Sequence, residues 1–340
     1  MPDSSLVLLI LIIVLAVGFG VVNGFNDAAN AIAASIGSRA LSPRKALVIA
    51  AIANMTGAMT GLAVAQTIGK GILIEEATSN LTVISGLLAV IVWGTVATYW
   101  GLPVSITHSF VAGLAAAGTV VAGGEAIVWS VMQRVGSSVV AAPILGFGGG
   151  FVLMVILYWL FRRSAPAGMR TIFSRLQWLT TAFVAYSHGK NDGQMPIGVI
   201  TMALFIYYKG IGQVGQANAL WDHVPWWVII ISALAISSGI AIGGWRVIRT
   251  VGVRVTTLQP VHGFATQASA ATVIEIASHL GIPVSTTHCV SAAVMGVGAT
   301  RRLSAVRWGV AGNIVAAWVL TFPICGGLGY LFAWLLKPIF

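Results

Sequence analysis

Apolar stretches almost free of charge recur along the whole chain, from LVLLILIIVLAVGFGVV (Leu6 to Val22) to the run that closes it between Trp308 and Leu336. Runs of 18 or more apolar residues cover a hydrocarbon core about 30 Å thick at roughly 1.5 Å per helical residue. Of the 340 residues 58% are hydrophobic and 8% charged, which is outside the range of soluble domains. Lipid offers no partner for backbone N–H and C=O groups, so only helices or a closed barrel can span it, and the period-two alternation of a barrel is absent. The chain therefore reads as an all-α, polytopic membrane protein.

The formal charge of +10 would suggest nucleic acid in a soluble protein. Here it reads as topology, because Lys and Arg collect in cytoplasmic loops. The leading MPDSS lacks the basic segment of a signal peptide, so Leu6 to Val22 is expected to be a mature helix. Cys289 and Cys325 lie in apolar runs without metal-ligand spacing and imply neither a disulfide framework nor a zinc site.

Inside this apolar chain a polar motif occurs twice. GLPVSITHSFVAGLAAAG (Gly101 to Gly118) and GIPVSTTHCVSAAVMGVG (Gly281 to Gly298) lie 180 residues apart and agree at eight of 18 positions. NGFNDAANAIAASIG (Asn23 to Gly37) is echoed by HGKNDGQMPIGVIT (His188 to Thr201) at an offset of 165. The 15-residue difference falls in a longer polar connection between Tyr207 and Trp226. Residues 1–165 and 166–340 are thus expected to be two repeats of one transport unit.

Charge tests their relative orientation. With the N-terminus outside, 13 of 18 basic residues lie on the cytoplasmic side, in the clusters around Arg39, Arg162, Arg246 and Arg301. The loop acids Asp3, Glu75, Glu76, Glu125 and Asp222 all lie on the other side, and the exceptions are Lys70, Arg134, Lys190, Lys209 and Lys337. Each half then crosses an odd number of times, so the repeats are inverted, as in many secondary transporters. The expected spans include Leu47 to Ile68 and Trp226 to Trp245. The pairs of segments around residues 81–121 and 258–298 are either re-entrant hairpins or two full spans.

Pro103 and Pro283 are read as sitting in the first turn of a half-helix, where a missing N–H costs nothing. Ser105, Thr107, Ser285, Thr286 and Thr287 would line that start beside free N–H groups and the positive dipole end, which together form an anion site. The alternative is hydroxyl groups that only cap and pack membrane helices. Asp27 and Asp192 need a partner, because a carboxylate at the bilayer centre costs about 2.5 to 3.5 kcal/mol even on a lenient scale. With Asn26 and Asn191 they offer hard oxygen ligands for Na⁺, or a site for a proton, with Gly24, Gly189 and Gly193 permitting unwound backbone. The competing reading is a structural salt bridge to Lys190 or Arg134. His108, His288 and His188 either titrate or simply hold hydrogen bonds. Glu275 is a minor candidate whose counterpart, Thr95, is not acidic.

The combination GFNDAANA, GLPVSITH, HGKNDGQ, GIPVSTTH and RWGVAGNIVAAWVLTFP resembles the inorganic phosphate transporter (PiT) family over nearly the whole chain. The resemblance implies symport of inorganic phosphate with Na⁺ or H⁺ through inverted repeats, by alternating access, in a plasma or bacterial inner membrane. It makes Asn26, Asp27, Asn191 and Asp192 cation ligands, with Asn30 added from the same motif. It makes Ser105, Thr107, Ser285, Thr286 and Thr287 phosphate ligands, with Gln194 added. No cofactor is implied, and a homo-oligomer is left open. The chain departs from the family at Ile106, where a Thr is usual, at Gln267, where a Glu is usual, and at Met195-Pro196, where Lys-Thr is common. Ser285 to Thr287 should accordingly outweigh Ser105 and Thr107 in binding. A sulfate symporter of the same family and an anion channel are the alternatives. An intramembrane hydrolase is remote, since HExxH is absent and every site residue is duplicated.

Overall fold

The computed structural model describes residues 5–340 and, of Lys70, the backbone alone. Asp3, expected outside, and the side chain of Lys70 lie outside the described residues. The first half contains α1 (Leu6–Gly37), α2 (Pro43–Ala58), α3 (Ala63–Lys70), α4 (Asn80–Trp100), α5 (Ile106–Ala122) and α6 (Trp129–Leu160). The second contains α7 (Pro166–Asn191), α8 (Gln194–Gly210), the short α9 (Val214–Ala219), α10 (Trp226–Ile242) and α11 (Trp245–Arg249), which runs into a π-helical turn at Thr250–Arg254. α12 (Pro260–His279), α13 (Thr286–Ala299) and α14 (Trp308–Leu336) complete it.

Among the described residues, α1, α4, Ile106–Ala126, α6 and α14 are long and apolar enough to cross a membrane. Two bent pairs raise the number to as many as seven. They cover the spans expected over Leu47 to Ile68 and Trp226 to Trp245 and add a bend to each. α2 and α3 meet at 71°, and α10 meets the segment that follows it at 59°. The bends fall at Gly61 and Gly243, whose φ values of 84° and 74° admit the left-handed backbone that ends a helix.

Burial runs opposite to that of a soluble protein. Val7, Leu179 and Trp159 are about 70% exposed on outer faces, while Asp27, Asp192 and His188 are buried. An apolar exterior facing lipid carries no hydration cost, and polar groups find their partners inside.

Packing between the halves is reciprocal. α1 lies on α10 as α7 lies on α2, and α5 lies on α14 as α13 lies on α6. A Cβ on Gly24 would stand 1.9 Å from the carbonyl oxygen of Ile236, and one on Gly189 would stand 2.0 Å from that of Asn54. These glycines therefore let backbones touch, as small residues do in membrane bundles. That corrects their expected role as points of unwinding, since Gly24 and Gly189 both lie inside intact helix. A break falls within the second Asn-Asp pair alone, where Asp192 and Gly193 separate α7 from α8.

The two PVS turns are buried in the bundle, and Thr287 Oγ1, just past the second, lies 3.1 Å from the Val104 carbonyl of the first. Trp318 Nε1 donates to the Pro103 carbonyl at 3.1 Å. Pro103 and Pro283 precede the helices rather than entering their first turn. The caps are Ser105 and Ser285, whose Oγ atoms accept from the N–H groups of His108 and His288 at 3.2 and 3.1 Å.

Candidate functional site

Four elements meet at the buried centre: the middle of α1, the α7–α8 junction, and the N-termini of α5 and α13. A hydroxyl one residue into each half-helix crosses to the carboxylate of the other half. Thr107 Oγ1 donates to Asp192 Oδ1 at 2.9 Å, and Thr287 Oγ1 donates to Asp27 Oδ1 at 2.9 Å. The second hairpin adds a contact the first lacks, because Thr286 Oγ1 donates to Asp192 Oδ2 at 2.7 Å where Ile106 carries only carbon. Asn30 Nδ2 donates to both Thr286 and Thr287, at 3.2 and 2.9 Å.

His188 lies between the carboxylates, its Nε2 at 3.5 Å from Asp27 Oδ2 and 3.2 Å from Asp192 Oδ2. Its Nδ1 faces Asn54 Oδ1 at 2.7 Å, and Asn54 Nδ2 donates to Ser237 Oγ at 3.3 Å. An acceptor on Nδ1 and carboxylate oxygens on Nε2 give the ring hydrogen-bond roles for two protons. Ligand atoms of Asp27, His188 and Asp192 lie within 4.8 Å of one another, a spacing at which one cation can be shared when His188 Nε2 carries no proton. The competing reading, a salt bridge to Lys190 or Arg134, is not met among the described residues. Lys190 pairs instead with Glu275, and Arg134 is exposed on α6.

Asn26 and Asn191 reach the first arm of each hairpin, and the amide nitrogen of Asn26, oriented to satisfy its neighbours, also lies 3.3 Å from Asp27 Oδ1. Asn26 shares a 2.5 Å hydrogen bond with Thr98, and Asn191 donates to Ser278 at 3.0 Å. Thr98 and Ser278 are themselves 180 residues apart. Gln194 caps α3, accepting from the N–H groups of Val64 and Ala65 at 3.0 and 3.2 Å, so its side chain is committed away from the centre. Gln267 bridges α7 and α1, accepting from Thr180 at 2.9 Å and donating to the Ala31 carbonyl at 3.1 Å. His108 and His288 pack with ring centroids 5.0 Å apart against Phe322 and Trp318. Asn54 carries no motif, and sequence reasoning passed over it. Thr98 and Ser278 could have been found as a matched polar pair at the repeat offset.

An occluded polar centre held between broken helices of an apolar bundle defines a membrane transporter rather than a soluble binding module. Residues 23–329 match the model of the phosphate transporter family. The chain belongs to that family, whose members are transporters and not enzymes, so a hydrolase is set aside. It is 37% identical over 340 residues to a "probable low-affinity inorganic phosphate transporter" of Bacillus subtilis (strain 168), covering 99% of this chain and 100% of that one. A protein of the same description from Rhizobium meliloti (strain 1021) is 38% identical over 317 residues, covering 93% of this chain and 92% of that one. A solved structure titled "The sodium-dependent phosphate transporter" superposes with a TM-score of 0.89 at 29% identity, over 98% of this chain and 100% of that chain.

Proposed function

We propose that the protein imports inorganic phosphate by cation symport, with alternating access between two inverted repeats. The observation that carries this reading is the crossed pair of bonds, Thr107 to Asp192 and Thr287 to Asp27. The hydroxyl protons suited to an anion are held by the carboxylates suited to a cation. A phosphate brought alone to within about 4 Å of two carboxylates would meet repulsion of about 4 kcal/mol per pair of unit charges at an effective dielectric near 20. A cation on Asp27 and Asp192 removes that repulsion and takes up the carboxylate lone pairs. The Thr107, Thr286 and Thr287 hydroxyls are then free to turn toward phosphate. Binding of one ion thus prepares the site for the other, and neither charge crosses uncompensated.

Na⁺ fits the ligand set, which is mostly hard oxygen, and the sodium dependence named for the similar solved structure supports it. His188 offers a proton site as the alternative coupling ion. The reciprocal packing of the halves and the convergence of Arg39, Arg162, Arg170 and Arg307 on one cavity support inverted repeats with that face cytoplasmic and the N-terminus outside.

The test is uptake of labelled phosphate into proteoliposomes with a Na⁺ gradient and a pH gradient imposed separately, and sulfate as competitor. Accumulation driven by either gradient supports symport. Equilibration without accumulation indicates a channel, and equal competition by sulfate removes selectivity for phosphate.

A further inference from the structure

The two ends of the centre differ at repeat-related positions. Toward the arginine face, α1, α7 and α12 carry polar side chains in matched layers. Nearest the centre, Gln267 accepts from Thr180 at 2.9 Å and donates to Thr181 at 3.0 Å and to the Ala31 carbonyl at 3.1 Å. The next layer outward is Gln177, which accepts from Ser38 Oγ at 3.0 Å and donates to the Pro260 carbonyl at 2.7 Å. Ser38 and Pro260 are also wall residues of a cavity of about 820 Å³ rimmed by Arg39, Arg162, Arg170 and Arg307. From Asp27 to Ser38 is 11 residues of α1, or roughly 16 Å at 1.5 Å per residue. The two glutamine layers lie along this stretch, among buried apolar side chains that include Ala34, Val255 and Met295.

The repeat offsets of 165 and 180 set Ile12 opposite Gln177, Ala16 opposite Thr181 and Leu87 opposite Gln267. All three are fully buried in one apolar core, beside the stacked Phe19 and Phe110 rings at 5.3 Å. At these matched positions one end carries amides and hydroxyls, and the other carries hydrocarbon. Amides and hydroxyls exchange bonds with one another for bonds to water or to phosphate oxygens at small net cost. A hydrocarbon seal excludes water and ions until helices separate.

Resting on the transport reading above, we propose that phosphate leaves the site through the Gln267 and Gln177 layers into the arginine-rimmed cavity. The two glutamines act as the cytoplasmic gate and the Ile12–Leu87 end as the external one. The glutamines are neutral, so the gate neither traps the anion nor adds to its repulsion by Asp27 and Asp192. The arginines beyond it present the first positive field that leaving phosphate meets.

The test is thiol accessibility in right-side-out and inside-out vesicles, using a membrane-impermeant reagent on Gln177→Cys, Ile12→Cys and the near-isosteric Thr181→Cys. Cys289 and Cys325 are buried, and the unaltered protein serves as the blank. Thiols at 177 and 181 are expected to react from the cytoplasmic face alone, more slowly when Na⁺ and phosphate hold the site, and the thiol at 12 not to react from that face. Gln177→Leu and Gln267→Leu should slow uptake about tenfold while equilibrium phosphate binding persists. Thiols at 177 and 181 that stay unreactive, or react from outside, in protein that still takes up phosphate overturn the route and leave the transport reading standing. Leucine variants with unchanged uptake do the same. Absence of uptake by the unaltered protein removes the transport reading and the route with it.

Discussion

The asymmetry between the hairpins is open to a direct test, because one position distinguishes them. Thr286 donates to Asp192 at 2.7 Å and accepts from Asn30 at 3.2 Å, whereas its counterpart Ile106 is buried and apolar. Thr286→Ile gives both half-helices the same sequence at this step. A hydrogen bond to a charged group is worth about 1.5 to 3 kcal/mol net, and phosphate would make such a bond with the released hydroxyl. At 1.4 kcal/mol per factor of ten, the KM for phosphate should rise roughly ten- to hundredfold. Asn30 retains Thr287 at 2.9 Å, so the fold should survive the change. The reverse substitution, Ile106→Thr, places a new hydroxyl in the first hairpin and should lower KM. Its cost is about 1 to 2 kcal/mol of stability from the lost packing of a buried isoleucine. The assay is initial-rate uptake of labelled phosphate in proteoliposomes over a range of concentrations, with melting in detergent as the check on folding. A folded Thr286→Ile protein with an unchanged KM would refute the assignment of the second hairpin as the richer donor.

Asp27→Asn and Asp192→Asn should each abolish cation-driven uptake while the protein remains folded, and uptake unchanged in both would remove the cation assignment. Gly24→Ala drives a methyl group into the Ile236 carbonyl, and Gly189→Ala does the same at Asn54; each should cost about 1 to 3 kcal/mol or more, read as a lower melting temperature in detergent. Lys190 and Glu275 are partly exposed, so a double-mutant cycle on Lys190→Met and Glu275→Gln should give a coupling of about 1 kcal/mol or less, with uptake little changed. A large loss in that cycle would bring the pair into the transport site.

Most of the membrane architecture was legible in the chain before any contact was known. Hydropathy names the medium, and the medium restricts the backbone to helices or a barrel. Internal repetition then identifies Asp27 with Asp192 and Thr107 with Thr287 as equivalent positions, and Ile106 as the place where equivalence fails. These are properties of composition and spacing, which need no partner to be read. Equivalence does not name contacts, however, because a contact depends on how helices from separate parts of the chain cross. Only the assembled bundle sends Thr107 to the carboxylate of the opposite half, brings Asn54 to 2.7 Å from His188, and turns Asn26 and Asn191 toward Thr98 and Ser278. The glycines show the same division. Their abundance marks close backbone approach or unwinding without choosing between them, and the choice falls to close approach at Gly24 because α10 lies against α1 there.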